Sequence, residues 1–359
     1  MSKKVLIGMS GGVDSSVAAY LLREQGYDVT GITLQMWSEA LHKGHTVNCS
    51  MESSEKDARA VAEKLGINHI TINCEDEFQN HVVDYFADVY TQGKTPNPCI
   101  QCNKYIKFGF MLDYAENNGY DYIATGHYAK ITRNEKGIYE LRKSDYDAKD
   151  QTYVLYNLTQ NQLSRILMPL GDYTKEQIRK IAEEKIGMFI SEKKDSMEIC
   201  FIPDDNHTEF IEYYAGYTPQ IGDFVDNDGN ILGQHKGIIN YTVGQRKGLG
   251  IAFGKPMFVT KIDPDTNRIT LGEDGSQYSM GLIAEEISFT DGKIPPVGTR
   301  LMCKTRYSAK VAECTISAND DDTLRVDFDQ PLRAVTPGQS VVFYRNDVTQ
   351  GGGIIKSTF

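Results

Sequence analysis

The chain has 359 residues, of which 40% are hydrophobic and 24% are charged, and its formal net charge is −11. This composition is typical of globular proteins and excludes disordered and fibrous classes, while the length allows two or three domains. The acidic balance argues against a general nucleic-acid binder, because affinity for phosphates comes from clustered Lys and Arg.

No targeting or membrane segment is predicted. The start of the chain lacks a secretory signal pattern, and nowhere do about eighteen apolar residues run together. The seven cysteines are odd in number and scattered, which argues against a secreted disulfide framework and for reduced thiols. We therefore expect a cytoplasmic protein that does not enter a membrane.

Strands and helices alternate over about the first 130 residues. Hydrophobic periodicity predicts strands at 5–9, 29–35, 69–73 and 122–125, and helices at 16–25, 54–65, 77–90 and 107–117. This alternation is typical of an α/β fold with a doubly wound parallel sheet, whose ligands bind beyond the carboxyl ends of the strands. Residues 10–15, 34–37 and 126–127 would then meet in one crevice.

A glycine turn, Ser-Gly-Gly-Val-Asp-Ser at 10–15, follows the first predicted strand. A strand, a glycine turn and a helix start aim backbone N–H groups and a helix dipole at one point, which suits a pyrophosphate. The turn lacks the endings of a Walker loop and of a dinucleotide fingerprint. It resembles the PP-loop of ATP pyrophosphatases, which adenylate a carbonyl oxygen and release pyrophosphate. The alternative interpretation is an ordinary helix cap.

The second half of the chain has a different pattern of predicted elements, with mainly short β-strands after one helix. A helix is predicted from about 172 to 185, ending near Gly187, and alternating segments at 237–243 and 258–262 indicate strands of a small β-rich domain. Further short strands follow, as in a barrel. The predicted domains are a PP-loop domain at 1–208, a small β-rich central domain at 209–278 and a C-terminal β-barrel at 279–359. The segment 226–230 imitates a calcium loop with the wrong spacing, and we interpret it as a hairpin turn.

Two cysteines stand in distinctive surroundings. Cys102 ends a proline-bracketed loop close to a predicted helix start, near Lys104 and Lys107, and both influences lower a thiol pKa. Cys200 lies in a polar-to-apolar loop and, taken alone, is more often a buried core thiol. The remaining cysteines have no distinguishing context and are interpreted as passive core thiols: Cys49, Cys74, Cys303 and Cys314.

Two small basic clusters oppose the acidic balance of the chain. One holds Arg300, Lys304, Arg306 and Lys310 with no acidic residue among them, and the other is at 245–247. Either cluster marks a phosphate-binding surface or a solvated strand face, and the residues alone do not decide between them.

Six segments together resemble the tRNA-specific 2-thiouridylase family, which places sulfur on carbon 2 of the wobble uridine of certain tRNAs. The segments are 8–16, 95–103, 124–129, 149–151, 199–202 and 244–250. The resemblance covers essentially the whole chain and is far more specific than the PP-loop alone. It implies a PP-loop domain, a small central domain and a C-terminal β-barrel.

The resemblance also implies roles for individual residues. ATP would be bound by Gly8, Met9, Ser10, Gly11, Gly12, Val13, Asp14, Ser15, Leu34 and Gly126, and Asp14 would help to hold Mg²⁺. The target base would meet Asn97, Pro98 and Cys99. Other parts of the tRNA would meet His127, Lys149, Asp150, Gln151, Arg306, Tyr307 and Gln339. For His127 the alternative is a structural histidine at a strand end.

The family reaction implies a division of labour between the two distinctive thiols. Cys200 would carry a persulfide loaded by a cysteine desulfurase or a sulfur relay protein, and Cys102 would act as the nucleophile that releases the sulfur by forming a Cys102–Cys200 disulfide. We expect the uridine to be flipped out of the anticodon stack. Glutamate, glutamine and lysine tRNAs are the expected substrates, and a monomer is the simplest arrangement.

The chain departs from some family members at Cys99, where others carry an aspartate. With Cys102 and Cys200 this residue supplies three thiolates, enough for a [4Fe-4S] cluster with one open iron. Structural zinc is less favoured, because a second Cys-x-x-Cys pair is absent. Two other functions stay open: a PP-loop ligase of the GMP or argininosuccinate synthetase type, and a non-enzymatic module that senses ATP.

Overall fold

Three β-sheets organise the chain, and the site described below lies beside the first of them. The computed structural model describes residues 2–37, 51–193, 199–202, 206–320 and 322–359. The sheets contain five, four and eight strands in chain order. Within those residues no helix is both long enough and apolar enough to cross a membrane.

The first sheet is parallel throughout, and its strand order is β3-β2-β1-β4-β7. Its strands are β1 (Lys4–Gly8), β2 (Asp28–Gln35), β3 (Asn68–Asn73), β4 (Tyr122–Ala124) and β7 (Ile166–Leu167). The predicted doubly wound sheet is therefore confirmed. Because the strand order reverses between β1 and β4, a crevice opens above their carboxyl ends.

Helices cover this sheet and lead into the second one. They are α1 (Val13–Glu24), α2 (Met51–Leu65), α3 (75–91), α4 (98–117), α5 (Gln160–Leu163), α6 (175–186), α7 (Met188–Ser191) and α8 (His207–Tyr214). The prediction that α4 starts at 107 is wrong. Asn97 caps the helix by accepting a hydrogen bond from the Ile100 N–H, and Pro98 occupies the first turn, where no N–H is needed.

The second sheet has the order β10-β11-β8-β9. Its strands are β8 (Gly222–Val225), β9 (Ile231–His235), β10 (Phe258–Asp263) and β11 (Arg268–Gly272). The segment 226–230 is a hairpin turn as predicted, because Asp226 accepts hydrogen bonds from the N–H groups of Asp228 and Asn230. The prediction of a strand at 237–243 is wrong, because Ile238 and Ile239 lie in a 3₁₀ turn. The two residues are adjacent and both are buried.

The third sheet closes into a six-stranded barrel, because β12 pairs with both β15 and β17. The barrel strands are β12 (Tyr278–Phe289), β13 (Arg300–Lys304), β14 (Ala312–Asp320), β15 (Thr323–Arg333), β16 (Ser340–Arg345) and β17 (Val348–Thr358). A hairpin from the first domain, β5 (Ala129–Arg133) and β6 (Tyr139–Lys143), pairs with the edge of β17. This pairing docks the barrel beside the crevice.

Candidate active site

The glycine turn between β1 and α1 has the geometry of an anion site. Gly11 has a φ of +66°, and a Cβ there would lie 2.4 Å from the Ser54 carbonyl oxygen, so only glycine fits. Gly12 is the extended N-cap of α1. Within the described part of the chain, the N–H groups of Gly12, Val13 and Asp14 donate to no acceptor. They remain available to a phosphate, as at other helix starts.

Asp14 is neutralised by a lysine that sequence analysis missed. The Lys175 ammonium lies 2.7 and 2.8 Å from the two Asp14 carboxylate oxygens, and the Tyr128 hydroxyl donates to one of them at 2.7 Å. Thr174 forms a capping box that starts α6 and places Lys175 in its first turn. A buried lysine beside the turn keeps Asp14 from repelling an anion. Lys175 and Tyr128 together donate twice to one carboxylate oxygen and once to the other, and the Mg²⁺ role of Asp14 stays a prediction.

Two other predicted ATP contacts form the walls of the crevice. Gly126 follows β4, and a Cβ on it would lie 2.8 Å from the Asp14 carbonyl carbon and the Ser15 nitrogen. Leu34 ends β2 and is half-buried. The absence of a side chain at Gly126 lets β4 approach the start of α1, so the predicted contacts at 8–15, 34 and 126 meet at one edge of the sheet.

Three cysteines are of interest, and Cys102 belongs to a hydrophobic cluster against which Leu34 of this crevice packs. Cys99 and Cys102 occupy the first turns of α4 at a spacing that places them on one face of the helix. Cys200 is exposed and precedes Phe201, which is buried against Phe78, Phe86 and Phe210 with ring centroids 5.4–5.6 Å apart. This aromatic cluster fixes the backbone next to Cys200.

The prediction of lowered thiol pKa values is wrong. Burial raises the pKa of Cys102 to about 11, with Lys107 opposing the shift and Cys99 adding to it. Cys99 and Cys200 are exposed residues, but protein atoms packed around their sulfur atoms displace water and raise the pKa of both thiols, and Cys102 and Cys99 raise the pKa of Cys200 further. The helix start and the lysine are present as expected, but loss of water outweighs both. Cys102 lies in the same hydrophobic cluster as Phe201, the neighbour of Cys200.

The donor set does not fit a metal or an iron–sulfur cluster. Within residues 2–37, 51–193, 199–202, 206–320 and 322–359, no three His, Cys, Asp or Glu side chains are arranged to hold a metal ion. Cys99, Cys102 and Cys200 all belong to those described residues, and they do not form such a group.

Lys107 is the cation shared by the three thiols. The segment Cys102–Phe110 of α4 has i→i+5 hydrogen bonds, so residues five apart, such as Cys102 and Lys107, lie one above the other. The Lys107 ammonium lowers the pKa of Cys99, Cys102 and Cys200, against the larger effect of burial. The sequence analysis named Lys107, but only the π-helical segment shows why it faces the thiols.

Lys107→Met is expected to slow sulfur transfer about tenfold at pH 8, because a rise of one unit in a thiol pKa removes about nine-tenths of the thiolate. Since the thiol pKa values lie above neutrality, the wild-type rate should rise with pH from 7 to 10, and the profile of the variant should lie at higher pH. Single-turnover thiolation at several pH values measures this. Lys104→Met is the matched control, because Lys104 lies over the Tyr105 ring instead, 4.8 Å from its centroid. Equal profiles for both variants and the wild type would contradict the prediction.

Some predicted tRNA contacts gather around the same thiols. Tyr307 of the barrel is exposed, lies 6.1 Å from the Tyr153 ring, and has its pKa raised mainly by burial of its hydroxyl, with smaller effects from Asp150, Lys149 and Cys99. Arg306 beside it is exposed. Asn97, Pro98 and Cys99 form the start of α4. The barrel and the first domain thus contribute neighbouring residues to one surface.

Other predicted tRNA contacts have internal hydrogen-bond partners. Asp150 is buried and accepts from the Thr152 hydroxyl at 2.7 Å, and the Gln151 side chain accepts from the Tyr128 N–H at 2.8 Å. His127 is buried 2.8 Å from the Thr125 hydroxyl, and burial holds its pKa well below the usual value, so the ring is neutral. These three residues shape the loops around the crevice, as the structural alternative for His127 proposed.

One residue of the first basic cluster is paired with acidic side chains. Arg300 lies in ion pairs with Glu313 and Asp329, so its charge is already compensated.

The passive interpretation of Cys74, Cys303 and Cys314 agrees with their complete burial. Cys49 and the residues 195–198 before Cys200 lie outside the described residues.

Comparisons with known proteins cover the chain from end to end. Residues 3–204, 208–273 and 279–355 match, in order, the families described as tRNA methyl transferase HUP domain, tRNA methyl transferase PRC-barrel domain and aminomethyltransferase beta-barrel domain. A protein of Clostridium perfringens named tRNA-specific 2-thiouridylase MnmA is 52% identical over 99% of both chains. One of Clostridioides difficile with the same name is 50% identical over 100% of this chain and 99% of its own.

Likeness to solved structures is weaker. The crystal structure of a 4-thiouridine synthetase–RNA complex with bound ATP is 19% identical, with a TM-score of 0.36 over 60% of this chain and 50% of that chain. A match of this size does not support a functional assignment.

Proposed function

The chain belongs to the tRNA-specific 2-thiouridylase family, and we propose that it performs the family reaction with the glycine turn and the thiols of Cys102 and Cys200. It is an ATP-dependent sulfurtransferase that converts the wobble uridine of tRNA to 2-thiouridine. The observation that supports the residue assignment is that Leu34, at the same sheet edge as the anion-binding turn, packs against the hydrophobic cluster that contains Cys102 and Phe201, the neighbour of Cys200.

The first step activates a poor leaving group. The C2 oxygen of uridine attacks the α-phosphorus of ATP, the proton on N3 leaves to solvent, and pyrophosphate departs. The N–H groups of the glycine turn bind the pyrophosphate, and Lys175 offsets the charge of Asp14 beside it. ATP enters as its magnesium complex, and no side chain of this chain is assigned to the ion.

The second step transfers sulfur from Cys200 to the tRNA. The terminal sulfur of a Cys200 persulfide attacks C2, and AMP leaves as the adenylate bond breaks. The Cys102 thiol then attacks the Cys200 sulfur, its proton goes to N3, and the C2–S unit leaves as 2-thiouridine. The transferred sulfur gains two electrons and the two cysteines lose them as a disulfide. An external thiol or dithiol reductant restores the enzyme.

The partners follow from the same chemistry. Glutamate, glutamine and lysine tRNAs are the proposed substrates, and a cysteine desulfurase or a sulfur relay protein is the proposed donor. Exposure of Cys200 supports loading by another protein. Arg306 and Tyr307, both exposed beside the thiols, support contact with the tRNA backbone and bases. A cytoplasmic monomer is part of the proposal.

Reconstitution tests this function directly. Anaerobically purified protein should form 2-thiouridine in unmodified glutamate tRNA with ATP, Mg²⁺ and sulfide or a cysteine desulfurase, and should release pyrophosphate only when tRNA is present. Nucleoside mass spectrometry, pyrophosphate release and iron content are measured together. Pyrophosphate release with a small acceptor in place of tRNA would favour a PP-loop ligase. Bound iron in stoichiometric amount would contradict the persulfide route.

Gln339→Ala is expected to raise the KM for tRNA about tenfold while leaving the KM for ATP within twofold. The Gln339 amide nitrogen donates to the carbonyl oxygens of Thr95 and Pro96, at 2.9 and 3.0 Å, and so holds the loop before Asn97 against the barrel. Losing two hydrogen bonds costs about 1–3 kcal/mol, enough to displace the proposed base-binding residues. Steady-state kinetics with each substrate varied measure the effect. An unchanged KM for tRNA would show that the loop does not depend on this anchor.

A further inference from the structure

A second lysine, Lys193, contacts the glycine turn through the Gly11 carbonyl group. Its ammonium donates to the Gly11 carbonyl oxygen at 2.9 Å and forms an ion pair with Asp57 of α2. Asp57 itself lies under the turn, since a Cβ on Gly11 would come 3.0 Å from the Asp57 Cβ. Lys193 therefore joins the glycine turn to α2.

The contact with Gly11 fixes the orientation of one peptide group. In a trans peptide the carbonyl oxygen and the following N–H point in opposite directions, and the described residues contain no cis peptide. Because Lys193 holds the Gly11 carbonyl towards α2, the Gly12 N–H is turned away from α2. That N–H is one of the amides that bind pyrophosphate in the proposed reaction.

The backbone of Lys193 is held as firmly as its side chain. Arg179 of α6 donates to the carbonyl oxygens of Ser191, at 2.5 Å, and of Lys193, at 3.0 Å. Lys175, one helical turn earlier in α6, forms the ion pair with Asp14. One helix thus supports both ends of the glycine turn, directly at Asp14 and through Lys193 at Gly11.

We propose that Lys193 is a positioning residue for ATP: it orients the Gly11–Gly12 peptide towards the pyrophosphate. The inference rests on the proposed ATP site, but it adds a residue that does not contact substrate. A change at Lys193 should therefore affect ATP use and leave the chemistry of the Cys200 thiol unchanged.

Lys193→Met is expected to raise the KM for ATP about tenfold, since one hydrogen bond to a charged group is worth about 1.5–3 kcal/mol. The KM for ATP is measured from tRNA-dependent pyrophosphate release, and persulfide loading of Cys200 is measured without ATP by mass spectrometry. Loading and the melting temperature should match the wild type, and Lys193→Arg should restore most of the ATP affinity. The exposed Lys185→Met is the matched control.

Asp57→Asn separates the two contacts of Lys193, because it removes the ion pair and leaves the donation to Gly11. We expect its KM for ATP to stay within twofold of the wild type. An unchanged KM in Lys193→Met, or a tenfold rise in Asp57→Asn, would overturn the positioning role. Absence of pyrophosphate release in the wild type would instead contradict the proposed function, so the two failures are distinguishable.

Discussion

Cys102→Ser and Cys200→Ser are each expected to lower 2-thiouridine formation by about three orders of magnitude or more, because each removes a sulfur atom that the reaction uses covalently. Serine cannot carry a persulfide at position 200 and cannot form the releasing disulfide at position 102. Adenylation precedes both sulfur steps, so tRNA-dependent pyrophosphate release in the first turnover should persist in both variants. Quenched-flow measurement of pyrophosphate and mass spectrometry of the tRNA separate these steps.

The two variants should also stop at different stages. Cys102→Ser should accept sulfur on Cys200 and accumulate a covalent adduct between Cys200 and the tRNA, while Cys200→Ser should form no such adduct. Cys99→Ser is the matched control for thiol chemistry: Cys99 lies in the same helix and has no covalent role in the persulfide route, so its loss should change at most the KM for tRNA. Loss of activity in all three variants would point to a shared ligand set, and activity in all three would exclude thiol chemistry.

Short sequence motifs predicted those parts of the site that are formed by residues close together in the sequence. The glycine turn follows from glycines at positions that need a positive φ or a close approach, and β1 and α1 follow from hydrophobic periodicity. The start of α4 was available in the sequence as well, since Asn97-Pro98 is an N-cap followed by a first-turn proline. The prediction of a loop there is wrong, because a proline in the first turn of a helix loses no hydrogen bond.

Long-range packing explains what could not be predicted. The high pKa of the Cys102 thiol comes from burial in a hydrophobic cluster that includes Phe78 and Phe201, both of which are far from Cys102 in the sequence. Lys175 lies 161 positions from Asp14, and Lys193 lies 182 positions from Gly11, so no spacing rule joins them. Such contacts appear only once the sheet has brought the strand ends together.

Lys175→Met is expected to lower ATP-dependent pyrophosphate release on the order of 100-fold, mainly through the KM for ATP. The Lys175 side chain is only 10% exposed, and its removal leaves the Asp14 carboxylate uncompensated beside the pyrophosphate site. Two like charges a few ångströms apart near a protein surface repel by about 3–4 kcal/mol, which corresponds to that loss. The melting temperature should fall only slightly, because the ion pair is partly exposed to solvent through the Asp14 side chain, which is 32% exposed.

A double variant separates charge from contact. If the Lys175→Met defect arises from the uncompensated carboxylate, Asp14→Asn combined with Lys175→Met should bind ATP better than Lys175→Met alone. Lys180→Met is the matched control, because Lys180 lies on the same helix but forms only an exposed pair with Glu184 at 3.9 Å. An equal defect in the single and double variants would mean that the Lys175 ammonium acts on the phosphates itself. Normal ATP kinetics in Lys175→Met would mean that the Lys175–Asp14 ion pair has no role in ATP binding.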